Sequence, residues 1–150
     1  MTDVYQQYEK ACRKIRQDNT KLLTEFGKWL LKERLSKKTI KQHLSNIDFY
    51  INEFLLYEDA IEASEGSGHI GMFLGYWFIK KAIWSSASSI RSNAASLKKF
   101  YKFMLEHGLV SEEAVNEMLE TIREEMPEWI ATVKRYDDPS ITDPGDIWGL

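Results

Sequence analysis

Residues 86–106 read SASSIRSNAASLKKFYKFMLE. The spacing of the apolar residues in this stretch decides the fold class. At about 100° per residue, Ile90, Ala94, Leu97, Tyr101 and Met104 fall on one stripe. Arg91, Ala95, Lys98 and Lys102 fall on a second, about a third of a turn away. That pattern predicts an amphipathic helix over about 87–106, closed by Gly108 just past its end. The chain carries 23 Asp and Glu against 20 Lys and Arg, a net charge of −3. Yet no acidic residue occurs between Lys80 and Leu105, a segment that holds Lys80, Lys81, Arg91, Lys98, Lys99 and Lys102.

Working outward, the same period recurs. Tyr5, Tyr8, Cys12 and Ile15 predict a helix over 3–18. Asn19 and Thr20 are good N-cap residues, so a second helix is expected to start there, with Leu22, Leu23, Phe26, Trp29 and Leu30 as its apolar stripe. Ser36 caps a third, from about Lys37 to Tyr57, with Ile40, Leu44, Ile47, Ile51 and Phe54 on one face. EASEGSG, residues 62–68, reads as a loop. Residues 69–83 are apolar nearly all round, which predicts a helix buried in the middle of the bundle. Ser111 followed by Glu112 and Glu113 opens a sixth helix, expected to end near Pro127. Beyond Tyr136, DDPSITDPGDIWGL reads as an extended or flexible acidic tail. The expectation is an all-α bundle of four core helices with N-terminal and C-terminal additions. Its divisions are 1–19, 20–110, 111–135 and 136–150.

Composition narrows the function classes. Hydrophobic residues make up 43% of the chain, enough for a core. Cys12 is the single cysteine, so neither an internal disulfide nor a thiolate cluster forms, which fits a reducing, cytoplasmic setting. The apolar run Ile70–Ile79 is far short of the roughly 20 residues of a membrane span. FLGYWFIKKAIW carries its aromatics around the helix rather than along one side, so a core helix is favoured over an interfacial one. His43, His69 and His107 lack paired ligand spacing, and no metal or cofactor is expected. Glu112, Glu113, Glu117, Glu120 and Glu124 read as a solvated acidic face. GSGHIG lacks the Lys and Ser/Thr of a phosphate loop.

Charge is segregated along the chain. Residues 20–50 hold seven basic and three acidic residues; 51–79 hold five acidic and no basic ones; 106–150 hold twelve acidic against three basic. Two cationic segments thus lie among acidic ones. They also echo each other at an offset of 50. Against SKKTIKQHLSNIDFYI, residues 36–51, stands SASSIRSNAASLKKFY, residues 86–101. Ser36 matches Ser86, Thr39 Ser89, Ile40 Ile90, Lys41 Arg91, Ile47 Leu97 and Tyr50 Phe100. Both helices pair a core face with a cationic, hydroxyl-rich one. Lys, Arg, Ser and Thr side chains and helix N-termini are the usual phosphate contacts. The small residues Ser86, Ser88, Ser89, Ser92, Ala95 and Ser96 would let a large partner approach closely.

LLTEFGKWLLKERLSKKTIKQHLSNIDFYINEFL (22–55) and SSASSIRSNAASLKKFYKFMLEHGLV (85–110) resemble two parts of the core-binding domain of tyrosine recombinases, the phage integrase family. The carriers are the Leu-Ser turn, the Thr-Ile helix start, the Leu-x-x-Phe-Tyr-x-Phe run and the Gly turn. The resemblance implies a SAM-like bundle forming half of a clamp on double-stranded DNA, in DNA integration or recombination. It nominates Lys37, Lys38, Thr39, Lys41 and Gln42 on the earlier helix. On the later one it nominates Ser88, Ser89, Arg91, Ser92, Lys98, Lys99 and Lys102. His43 departs from the family's frequent Tyr, and the Asn-Pro that often follows the last core-binding helix is absent. None of the three histidines begins a His-x-x-Arg pair, so strand cleavage is not expected from these 150 residues.

The competing expectation is a helical protein-interaction module that regulates or pairs with a full-length recombinase or with itself, without DNA binding. The two differ in whether the cations of 37–45 and 86–102 share one surface. The acidic C-terminal third either keeps the chain soluble or folds back over the cationic face.

Overall fold

A computed structural model of the chain describes residues 2–141 and 144–148. Helices dominate: α1 (Thr2–Lys32), α2 (Lys37–Asp48), α3 (Ile70–Met72), α4 (Phe78–Lys81), α5 (Ala87–Glu106), α6 (Glu112–Tyr136) and α7 (Pro144–Trp148). π-helical turns extend α2 over Phe49–Phe54 and join α3 to α4 over Phe73–Trp77. A 3₁₀ segment, Ala63–His69, leads into α3. No strand occurs among the described residues, so the chain is an all-α bundle. Nor is any helix there long and apolar enough to cross a membrane.

α5 is flanked by α2 and α6, and α1 crosses both α2 and α5. The apolar stripe read from the sequence is the buried face: Ile90, Ala94, Leu97, Tyr101 and Met104 are all in the core, joined by Phe100 and Phe103. Gly108 sits at φ 69°. Its N–H and that of Leu109 bond the Leu105 and Met104 carbonyls, which closes α5 as a Schellman turn does.

Three boundaries differ from expectation. Asn19 does not cap a second helix; it is buried within α1, which runs unbroken from Thr2 to Lys32. Its amide donates to the Ile51 carbonyl and to Asn52 Oδ1, at 3.2 and 2.8 Å. A tertiary partner thus replaces the local backbone N–H groups that a cap would serve. Pro127 lies inside α6 rather than at its end. The helix continues because Trp129, Ile130, Thr132 and Val133 are buried beyond it, while Pro127 and the preceding-turn Arg123 are exposed. The hydrogen bond lost to proline therefore falls on the side open to solvent. The expected tail at 136–150 includes residues 142, 143, 149 and 150, which lie outside the described ones. Of the rest, Pro144–Trp148 is helical and packs on α6. Trp148 lies against Tyr76 and Tyr136, and Arg135 Nε donates to the Ile147 carbonyl at 2.9 Å.

The apolar segment 69–83 is not buried all round. Phe73, Leu74, Phe78 and Ile79 enter the core, but Met72 is 61% and Tyr76 41% exposed. Its inner face interlocks with the first π turn. Phe49, Tyr50 and Phe54 contact Phe73, and Phe49 and Phe54 contact Trp77, at centroid distances of 4.8–6.1 Å. Such pairs each contribute about 0.5–1.5 kcal/mol beyond burial.

Two buried tyrosines hold the 3₁₀ segment down. Tyr50 donates to the Gly66 carbonyl at 2.6 Å, and Tyr101 to the Ala63 carbonyl at 2.8 Å. Burial pushes both hydroxyls up, so they remain protonated donors. A Cβ on Gly66 would fall 2.7 Å from Leu55 Cδ1 and against the Tyr101 hydroxyl, whereas one on Gly68 meets nothing within 4 Å. Gly66→Ala should therefore cost about 1–3 kcal/mol through overpacking. In urea unfolding its midpoint should fall at constant m, while Gly68→Ala should stay within about 0.5 kcal/mol of wild type.

Candidate nucleic-acid interface

The two cationic helices start in the same way. Ser36 caps α2, accepting from the Thr39 N–H at 3.2 Å. Ser86 caps α5 with a reciprocal box: its Oγ accepts from the Ser89 N–H, and Ser89 Oγ accepts from the Ser86 N–H. The nominated hydroxyls of Thr39 and Ser89 are thus engaged in starting their own helices. Each cap replaces an unsatisfied first-turn donor.

α2 packs on α5 along a polar seam. Asn46 Nδ2 donates to Ser92 Oγ at 3.1 Å and to Ser96 Oγ at 2.9 Å. Gln42 Nε2 donates to Asn46 Oδ1 at 2.9 Å. His43 Nδ1 lies 2.7 Å from Ser96 Oγ, which also donates to the Ser92 carbonyl at 3.1 Å. One hydroxyl has one proton and two lone pairs. With its proton on the Ser92 carbonyl, Ser96 accepts from Asn46 and from a His43 protonated on Nδ1, and all three side chains are satisfied. Ser96 is fully buried. The small residues of α5 thus admit α2: Ser92 and Ser96 are the close-approach positions, and the neighbour they accommodate is inside the protein.

The contacts run in opposite senses along the two helices. His43 meets Ser96, Asn46 meets Ser92, and beyond them Phe49 packs edge-on against Trp84 at 5.4 Å. α2 and α5 are therefore antiparallel. Asn46 and Ser96, equivalent positions in the repeat of offset 50, touch each other across the pair. Lys41 and Arg91 are likewise equivalent in the repeat, and both are exposed.

The nominated residues divide by environment. Lys37, Lys38, Lys41, Gln42, Ser88, Arg91, Lys98 and Lys102 are exposed, and Thr39, Ser89, Ser92 and Lys99 partly so. Lys99 lies 3.9 Å from Glu33, a distance at which a surface pair contributes little. Lys98 leans to the other side of α5, where it lines a cleft with Asn116, Glu120 and Arg123 of α6. Among the described residues, Lys37, Lys38, Lys41, Arg91, Lys98 and Lys102 make no ion pair. No group of His, Cys, Asp or Glu there is arranged to hold a metal ion.

Sequence reasoning passed over Asn46, and it named Ser96 for close approach and His43 as a departure from the family's Tyr without seeing that the three meet and set the register of the two helices. The available signal was polar side chains at i and i+3 in α2, on the edge between core and cationic face, facing serines at i and i+4 in α5.

No protein-family model matches the chain, and no curated protein or solved structure is significantly similar to it.

His43 is held below its ordinary value, chiefly by burial and then by the nearby Lys99 ammonium. As pH falls below about 6.5, the unfolded chain takes up this proton before the folded one. The stabilisation is complete above that pH and is lost as pH drops through the lower folded-state value. Denaturant melts between about pH 7.5 and 5.5 should show stability declining with acidity, ahead of carboxylate titration. His43→Gln should lower stability at the upper end and flatten that slope.

Proposed function

We propose that this chain binds duplex DNA without cleaving it, through the solvent faces of α2 and α5. The observation that carries this reading is six exposed cations with no acidic partner among the described residues, on two helices packed side by side. An acidic protein has carboxylates enough to pair them; most of those lie in 51–79 and 106–150 instead. Unpaired lysines and arginines on the solvent faces of a helix pair suit a polyanion. The resemblance to the core-binding half of a tyrosine-recombinase clamp agrees with these residues, and so the proposal extends to DNA integration or recombination in the cytoplasm, with a full-length recombinase or a second copy as catalytic partner. Ser88 and Gln42, exposed beside the cations, would add neutral phosphate contacts. Contacts of this kind fix orientation and carry little sequence preference.

The test is fluorescence anisotropy of a labelled duplex titrated at several salt concentrations. Wild type should bind, with affinity falling steeply as salt rises, each neutralised phosphate adding about 0.9 to the logarithmic slope. Arg91→Glu with Lys98→Glu and Lys102→Glu should weaken binding at least about tenfold and flatten that slope. These side chains are exposed, so the circular dichroism spectrum should not change. Absence of wild-type binding at low salt overturns the proposal in favour of a protein-interaction module.

A further inference from the structure

Between α4 and α5 the chain exposes two large apolar side chains in succession. Ile83 is 98% exposed and Trp84 57%. Met72 and Tyr76 on the preceding helical stretch are exposed too, Tyr76 with Trp148 against one part of its ring, but Ile83 and Trp84 lie past the helix end, where Ala82 turns to an extended conformation. The two side chains thus sit on a turn rather than along the helix, and hydrogen bonds hold that turn. The Ser85 N–H bonds the Ala82 carbonyl at 3.0 Å, and Ser85 Oγ bonds the Ile79 carbonyl at 3.3 Å. Ser89 Oγ bonds the Trp84 carbonyl at 3.3 Å, in addition to its part in the capping box. The inner edge of the Trp84 indole packs on Phe49 and Phe78. Ile83 is itself stiff about χ1.

The surroundings are cationic on the helix sides. Lys80 and Lys81 occupy the turn before, without an acidic partner among the described residues, lying over the Tyr76 and Tyr57 rings at 5.5 Å. Arg91 follows on α5. Asp48 and Glu53, both exposed, line a cleft together with Trp84 and Phe49. A stiff apolar point flanked by cations, continuous with the α2–α5 pair through the Trp84–Phe49 contact, fits a base step between two phosphate backbones. An anionic bilayer would instead engage a broad apolar face along a helix.

We propose that Ile83 enters a base step of duplex DNA from the minor groove and kinks it, with Trp84 packed beside the parted bases and Lys80 and Lys81 on the flanking phosphates. Apolar wedges of this kind unstack one step and bend the duplex toward the major groove. The inference rests on the duplex-binding reading above and adds to it a mode of contact.

The experiment is ligase-mediated circularisation of a duplex of about 100 bp, shorter than the roughly 150 bp persistence length, so that circles form only when protein bends it. Anisotropy on the same duplex and sedimentation with phosphatidylcholine–phosphatidylserine vesicles accompany it. Wild type should raise circle yield about tenfold. Ile83→Ser, at a position with no packing to lose, should bind with nearly the same salt slope yet raise no circles. Trp84→Phe, which keeps the inner packing, should retain part of the bending. Binding without circles in wild type, or circles undiminished in Ile83→Ser, overturns the wedge and leaves the duplex-binding reading standing. Failure of wild type to bind the duplex overturns both. Ile83-dependent sedimentation with vesicles in place of duplex binding assigns the point to lipid and overturns the wedge.

Discussion

The arrangement of this bundle turns on one buried hydrogen-bond cluster, in which Ser96 Oγ meets Asn46, His43 and the Ser92 carbonyl between two otherwise apolar helix faces. Apolar side chains of similar volume would pack there as well, but they would tolerate sliding. A polar cluster does not. Shifting α2 by one turn would bury the Asn46 amide and the His43 ring without partners, at about 1–3 kcal/mol for each group left unsatisfied. The cluster therefore defines the register as well as the contact. Everything on the outer sides of α2 and α5, including the spacing of Lys38 and Lys41 from Arg91 and Lys102, follows from that register.

A second wall, adjoining the first, is built from size rather than polarity. π turns at Phe49–Phe54 and Phe73–Trp77 each admit an extra residue into the helix. The space so gained is occupied by rings: Phe49, Tyr50 and Phe54 from one side, Phe73 and Trp77 from the other. The same interlocking sets the position of Trp84, because its indole rests on Phe49 and Phe78. Thus the aromatic wall and the polar seam meet at Phe49, and the exposed Ile83–Trp84 point is mounted where they join.

Charge is distributed so that folding does not consume the cations. The ion pairs among the described residues are mostly within helices and exposed, such as Lys14–Asp18 and Arg123–Glu120, and pairs of that kind contribute little. The bundle is held by burial and by neutral hydrogen bonds, and among the described residues Lys37, Lys38, Lys41, Arg91, Lys98 and Lys102 enter no ion pair. The described part of the C-terminal segment packs on α6 and, through Trp148, on Tyr76 and Tyr136.

Much of this was legible in the chain itself. Helical period, the absence of proline before residue 127 and the Ser caps determined an all-α chain, the span of α5 and its buried stripe, because hydrophobic spacing and capping act over a few residues. The segregation of charge was equally local. Tertiary structure alone decided the rest. Asn19 looked like a cap until its partners proved to lie at residues 51 and 52. Pro127 looked like a stop until the burial of Trp129 and Val133 outweighed one solvent-side hydrogen bond. Serines that seemed to invite an external partner turned out to admit α2. In each case the deciding group lies far away in sequence, or its energy depends on burial. Local pattern specifies which face of a helix is apolar; which neighbour meets it, and in what register, is a property of the packed whole.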